Sequence, residues 1–161
     1  MLLVIEGNEG SGKTTLIDDL SKKLPFVRVK YPKEIKKTYS MLDFFCKEDT
    51  LYVLDRSFIS DMVYRKLDHK KGQITLYQIG KLCGDNVSRL KIIFCHNDKA
   101  FENAMARGEN VITTHSVHKL IDNEFASIKN IIRCFTDLSI MDYNYEYNSV
   151  DDVISFIKGG E

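Results

Sequence analysis

Met1-Leu2-Leu3-Val4-Ile5-Glu6-Gly7-Asn8-Glu9-Gly10-Ser11-Gly12-Lys13-Thr14-Thr15 opens the chain, an apolar run that leads directly into G-x-x-x-x-G-K-[ST] from Gly7 to Thr14. Tight turning at Gly7, Gly10 and Gly12 lets the backbone N–H groups of residues 7 to 15 point inward at phosphate oxygens. Lys13 would reach the outer phosphates, Thr14 would place a hydroxyl on Mg²⁺, and the following helix would present its positive dipole end to the same anion. The motif requires a strand before it and a helix after it. Leu2 to Ile5 reads as a buried strand, and Leu16, Leu20 and Leu24 recur every four residues from Lys13 to Leu24, as an amphipathic helix demands. These features together specify a nucleoside triphosphate site; they leave the phosphoryl acceptor open.

Downstream, strand and helix alternate almost throughout. Phe26 to Tyr31 alternates as a strand, residues 34 to 48 read as a short helix, and Thr50 to Leu54 is an apolar strand ending on Asp55-Arg56-Ser57. Residues 58 to 83 contain two helices separated at Asp68 to Gly72, and Lys91 to Cys95 is a fourth strand. Asp98 to Ala106 is a helix with Ala100, Phe101, Ala104 and Met105 inward. Arg107 to Asn110 forms a loop, and Ser116 caps a helix through Ile128. Asn130 to Phe135 reads as the fifth strand, residues 138 to 147 read as extended with Tyr143, Tyr145 and Tyr147 alternating as packed strand residues, and Ser149 caps a final helix burying Val150, Val153, Ile154 and Ile157. This order predicts an α/β P-loop NTPase three-layer sandwich with a five-stranded parallel sheet. Residues 1–161 are expected to form a single domain with a short lid near 107–116.

Composition narrows the partners. With 43% hydrophobic residues in 161, the chain can bury a substantial core, and two prolines and nine glycines leave little room for linkers. Lys plus Arg equals Asp plus Glu at 23 each, so no overall field favours nucleic acid or an anionic membrane. The basic cluster Arg28, Lys30, Lys33, Lys36 and Lys37 is read as a solvated edge. The apolar runs are too short for a membrane span and the N-terminal run enters the P-loop without a basic leader, so a cytoplasmic location is expected. Cys46, Cys83, Cys95 and Cys134 lack zinc-ligand spacing and are expected to be reduced and mostly buried. His115 and His118 are expected at the surface of the helix after the lid. The sequence leaves a homodimer open.

Phosphoryl transfer needs the donor held, the acceptor held in line and the developing charge neutralised. The P-loop, Lys13 and Thr14 serve the first need. Asp55 could orient Mg²⁺ or accept a proton, and Arg56 could grip an acceptor phosphate in a bidentate fork that lysine would not match. Arg107, in the loop before the next helix, could close over the phosphates. A surface ion pair is the plain alternative for Asp55-Arg56, and a solvated arginine for Arg107.

Several separate segments resemble the thymidylate kinase and deoxynucleoside kinase superfamily. Ile5 to Thr15 resembles the E-G-x-[DE]-G-x-G-K-T-T opening of thymidylate kinases, with Asn8 similar to the E-G-N of deoxynucleoside kinases. Asp55-Arg56 resembles the D-R-[YFH] element, whereas Arg56-Ser57 with Ser60-Asp61 echoes the E-R-S-x-x-S-D of nucleoside kinases. Tyr31-Pro32 resembles the F-P after the second strand, with Lys33 close to the family's basic residue although Glu34 occupies the expected place. Arg107-Gly108-Glu109 resembles the R-G-E that starts the lid. The resemblance implies ATP with Mg²⁺ as the donor, Lys13, Asp55 and Arg107 as catalytic residues, and Thr14 with Asp55 at the metal. It implies Glu9, Tyr31, Lys33 and Arg56 around a small nucleotide acceptor, dTMP foremost. Because Gly10 and Ser11 stand in the P-loop, the lid must supply the arginine. The stretch between Pro32 and Asp55 is shorter than the family's helical insertion, which leaves the base undetermined, and a nucleoside acceptor with Glu34 or Asp55 as base remains the rival. His96-Asn97-Asp98-Lys99 has the wrong order for the N-K-x-D of a GTPase switch.

Overall fold

A computed structural model describes residues 1–31, 38–69, 75–108 and 114–159. Its centre is a parallel sheet of β1 (Leu2–Glu6), β2 (Val27–Lys30), β3 (Tyr52–Asp55), β4 (Leu90–Cys95) and β5 (Ile140–Tyr143), in the order β2-β3-β1-β4-β5. β1 and β4 are buried along their whole length, as the central strands of a doubly covered sheet must be. The two cores follow from the pleat. Leu2 and Val4 face α2 (Thr38–Lys47), α3 (Phe58–Leu67), α4 (Leu76–Asp85) and α6 (His115–Phe135), while Leu3 and Ile5 face α1 (Lys13–Ser21) and α7 (Val150–Lys158).

Register positions the site. Ile5 lies opposite Asp55 on one side and Ile93 on the other, so the carboxyl ends of β1, β3 and β4 finish level and the loops after them share one rim. The order switches direction at β1, and the P-loop leaves the sheet there, where open α/β sheets bind ligands.

One element differs from expectation. Residues 130 to 135 are not a strand but the last turns of α6, and the fifth strand is Ile140–Tyr143. Ile131 and Ile132 look like a strand locally, but Ile121, Phe125, Ile128 and Ile132 continue one buried helical stripe. Tyr143 packs in β5, whereas Tyr145 and Tyr147 fall in the following turn and are exposed. The N-cap of α6 is Thr114, whose hydroxyl accepts from Val117 N, rather than Ser116. In α5 (Ala100–Ala106), Ala100 and Ala104 are buried but Met105 is half exposed, because the small residues face the P-loop. The expected break between the helices of residues 58 to 83 is present at Asp68 and His69; Lys70 to Gly72 lie outside the described residues, as do Glu109, Asn110, Pro32, Lys33, Glu34, Lys36 and Lys37. Cys46, Cys83 and Cys95 are buried free thiols and Cys134 is exposed.

Candidate active site

Two of the P-loop glycines have no substitute. Gly10 has φ +75°, and a Cβ there would lie 1.8 Å from the Ala100 carbonyl oxygen; at Gly7, φ is +139° and a Cβ would lie 2.2 Å from that of Cys95. Gly12 caps α1 in the left-handed conformation with no side-chain cap, which leaves the helix's first N–H groups to an incoming anion.

Lys13 is almost wholly buried and donates from Nζ to the Gly7 carbonyl at 2.8 Å, the Asn8 carbonyl at 2.5 Å and Ser11 Oγ at 3.3 Å. Burial, reinforced by the nearby Arg56 charge, lowers its pKa to about 8. Below that value the ammonium is charged whether the chain is folded or not. From about 8 to its ordinary 10.5 the unfolded chain still holds a proton that the folded chain has released, so stability rises with pH across this window and levels off above it. We therefore expect the stability of the wild type relative to Lys13→Met to climb by about 3 kcal/mol between those limits, read from denaturant midpoints. A flat difference would contradict the burial of a charged Lys13.

Beside the loop, β3 ends on Asp55 and Arg56. Arg56 has φ +62°, an uncommon conformation for a residue with a side chain, and its N–H donates to the Ile5 carbonyl at 3.3 Å. Ser57 then caps α3. Under this turn Glu6 is fully buried, accepting from the Ser57 hydroxyl, the Ser60 hydroxyl at 2.5 Å and Ser60 N at 3.3 Å. Burial pushes the Glu6 carboxyl up, opposed by these hydrogen bonds. The serines of the R-S-x-x-S segment thus fasten α3 to β1.

Gly10, Ser11, Gly12, Lys13, Thr14, Asp55, Arg56 and Arg107 line one polar hollow of about 150 Å³. Residues far apart in sequence therefore converge on one small polar space. Arg107 is the C-cap of α5, a helix tied to the loop by the Ala100 contact and by Asn103 Nδ2, which donates to the Gly10 carbonyl at 3.5 Å. Asp55 Oδ2 accepts from Arg28 at 2.6 Å, and Arg28 also reaches Asp18 at 3.1 Å. Among the described residues no group of three or more His, Cys, Asp or Glu could hold a metal. Thr14 and Asp55 offer oxygen donors in the lining of the hollow, which suits a hard cation such as Mg²⁺ that takes its other ligands from phosphate and water.

A second cavity of about 600 Å³ adjoins the first and shares Arg56, with Glu9, Tyr31, Ser60, Tyr64 and Val117 among its walls. Arg56 donates to Glu9 Oε1 at 3.4 Å and lies 5.5 Å from the centre of the Tyr64 ring. Among the described residues, Glu9 Oε2 and the Tyr64 hydroxyl are buried without a hydrogen-bond partner, a state that calls for one from outside the chain or from water. A larger hollow of about 640 Å³ between α4 and α6 is lined mostly by apolar residues such as Leu76, Ile131 and Phe135 and lies away from these groups. Asn144 and Asn148 bond within their own turn, to Glu146 N at 3.0 Å and Asn144 N at 2.9 Å, so their amides shape the loop over Gly12.

Three residues near the site escape sequence reasoning. Arg28, read as part of a solvated basic edge, grips Asp55. His118, expected at the surface, is only 4% exposed and sits under the P-loop. Tyr64 contributes to the second cavity with no motif to mark it. The period of α6 carries the only signal for His118, which lies three residues before the buried Ile121.

No family model matches the sequence. A stretch of 110 residues is 26% identical to an adenylate kinase isoenzyme 6 homologue of Caenorhabditis elegans, covering 66% of this chain and 59% of that protein. Among solved structures, the YorR protein of Bacillus subtilis in complex with phosphorylated GDP is similar over 98% of this chain and 96% of that one, with a TM-score of 0.72 at 21% identity. Deoxyadenosine kinase from M. mycoides with bound dATP is similar over 98% and 99% of the two chains, with a TM-score of 0.64 at 16% identity. Shikimate kinase from Acinetobacter baumannii, in complex with shikimate, covers 98% and 93% at a TM-score of 0.56 and 10% identity. The chain has the five-stranded α/β fold of the P-loop kinases, shared with nucleoside kinases.

Proposed function

We propose that the protein transfers the γ-phosphoryl group of ATP to a deoxynucleoside monophosphate, dTMP foremost. The observation that carries this reading is Arg56, which belongs to both cavities: the polar hollow under the P-loop and the larger one beside it. A guanidinium at that junction can hold an acceptor phosphate in line with the donor.

On this reading the open N-terminus of α1 and the P-loop N–H groups bind the donor phosphates. Lys13 turns from the Gly7 and Asn8 carbonyls to the phosphate oxygens, and Arg107, which lines the same hollow, neutralises charge on the transferred group. Mg²⁺, held by Thr14 and Asp55, would supply further charge neutralisation. Arg28 holds the Asp55 carboxylate by an ion pair at 2.6 Å.

Arg56→Ala is expected to raise the acceptor KM by about 10- to 100-fold, the loss of one or two charge-assisted hydrogen bonds, while leaving the ATP KM within about threefold. Equal losses for both substrates in steady-state ADP release would remove Arg56 from the acceptor site. The unpartnered Glu9 Oε2 favours a second reading, in which this carboxylate accepts the proton of a nucleoside 5′-hydroxyl. Thymidine and dTMP, compared in the same assay, separate the two: ADP growth with thymidine alone would overturn the first.

A further inference from the structure

One turn of α6 does two things at once. Val117 and Ile121 line the larger cavity beside Glu9 and Arg56, while His118 and Asp122 reach under the P-loop. Asn8 Nδ2 donates to the His118 carbonyl at 2.9 Å and to Asp122 Oδ1 at 3.0 Å, and Asn8 Oδ1 accepts from Glu9 N at 2.8 Å. His118 Nε2 stands 3.1 Å from the Glu9 carbonyl oxygen and Nδ1 stands 3.1 Å from Asp122 Oδ2. Phe101 of α5 turns its ring edgewise to His118, with centroids 5.7 Å apart, and both rings line a separate hollow of about 340 Å³.

Glu9 is therefore held at both ends, its backbone by Asn8 and His118 and its carboxylate by Arg56. A histidine that only filled space could be replaced by an apolar side chain with little loss, and buried polar networks carry a desolvation cost that such a replacement avoids. What the network provides is geometry. It sets Glu9, a residue of the acceptor cavity's wall, against the helix that supplies Val117 and Ile121 to the same wall.

We propose that His118 is a positioning residue for the acceptor, acting through Glu9 and Arg56. The inference rests on the acceptor assignment made above. The experiment compares wild type, His118→Ala and His118→Gln as full-length protein, measuring the acceptor KM, the ATP KM, kcat and the melting temperature. His118→Ala is expected to raise the acceptor KM about tenfold with the ATP KM within about twofold, the scale of one buried hydrogen bond. Glutamine, whose amide can reach the Glu9 carbonyl, is expected to recover most of that loss. A residue with a structural role alone would lower the melting temperature and the active fraction but leave the acceptor KM of the folded enzyme unchanged, and that result overturns the proposal. If His118→Ala does not fold, Asp122→Ala, which removes the exposed carboxylate behind the ring, is expected to raise the acceptor KM about threefold; an unchanged value overturns it equally. A wild type that turns over no monophosphate or nucleoside overturns the functional reading and this one with it, whereas turnover by wild type without the acceptor-specific shift overturns this inference alone.

Discussion

Lys13→Ala is expected to lower acceptor-dependent ADP formation by about 10³-fold or more while the protein melts at or above the wild-type temperature. The two halves of this expectation have one cause. Lys13 is a charged group drawn out of water, with a pKa brought down to about 8, so its presence costs the empty protein stability. Its removal takes the donor from the Gly7 carbonyl, the smaller effect beside the desolvated charge. The Asn8 carbonyl keeps a donor in the Ser11 hydroxyl at 2.7 Å, so the loop retains part of its internal bonding. What is lost is the buried cation of the loop, which lines the hollow. Undiminished turnover in a coupled assay would remove the donor-site assignment.

Arg107→Ala is expected to lower kcat by about 10³-fold, by comparison with arginines that neutralise the transferred group, while moving the ATP KM far less. The case is geometric. Arg107 is exposed, as a solvated arginine would be, yet it lines the same hollow as Lys13, Thr14 and Asp55. It arrives there on α5, whose position against the P-loop is set by backbone contact, so no large movement is needed to present it. Arg107→Lys should recover only part of the rate, since a point charge replaces a planar fork. A kcat within a few-fold of wild type for the alanine variant would return Arg107 to the solvent-facing surface.

The sheet and the donor loop were legible because their signals are local and redundant. The P-loop spacing, the apolar strand before it and the four-residue leucine repeat after it agree, and Asp55 and Arg56 follow an apolar strand that register brings beside β1. The fifth strand was misplaced because Ile131 and Ile132 are equally compatible with a strand and with the end of a long helix; only the stripe running from Ile121 decides, and it demands that residues 115 to 135 be taken together. Arg28 and His118 were misjudged for a different reason. Their partners, Asp55 and the Glu9 carbonyl, lie 27 and 109 residues away, and no periodicity encodes a contact of that kind. Tyr64 shares the difficulty, since its hydroxyl acquires meaning only once the neighbouring cavity exists.

The close approach of Gly10 to Ala100 carries a consequence for how charge can reach this centre at all. The direction a side chain at position 10 would take is filled by the backbone of α5, 1.8 Å from the first atom. An arginine could stand at position 10 only if that helix withdrew, and the same withdrawal would carry Arg107 away from the hollow. A cation at position 10 and the one on α5 therefore compete for one volume. This chain has filled it with main chain, so an arginine grafted at position 10 would displace the existing one instead of adding to it.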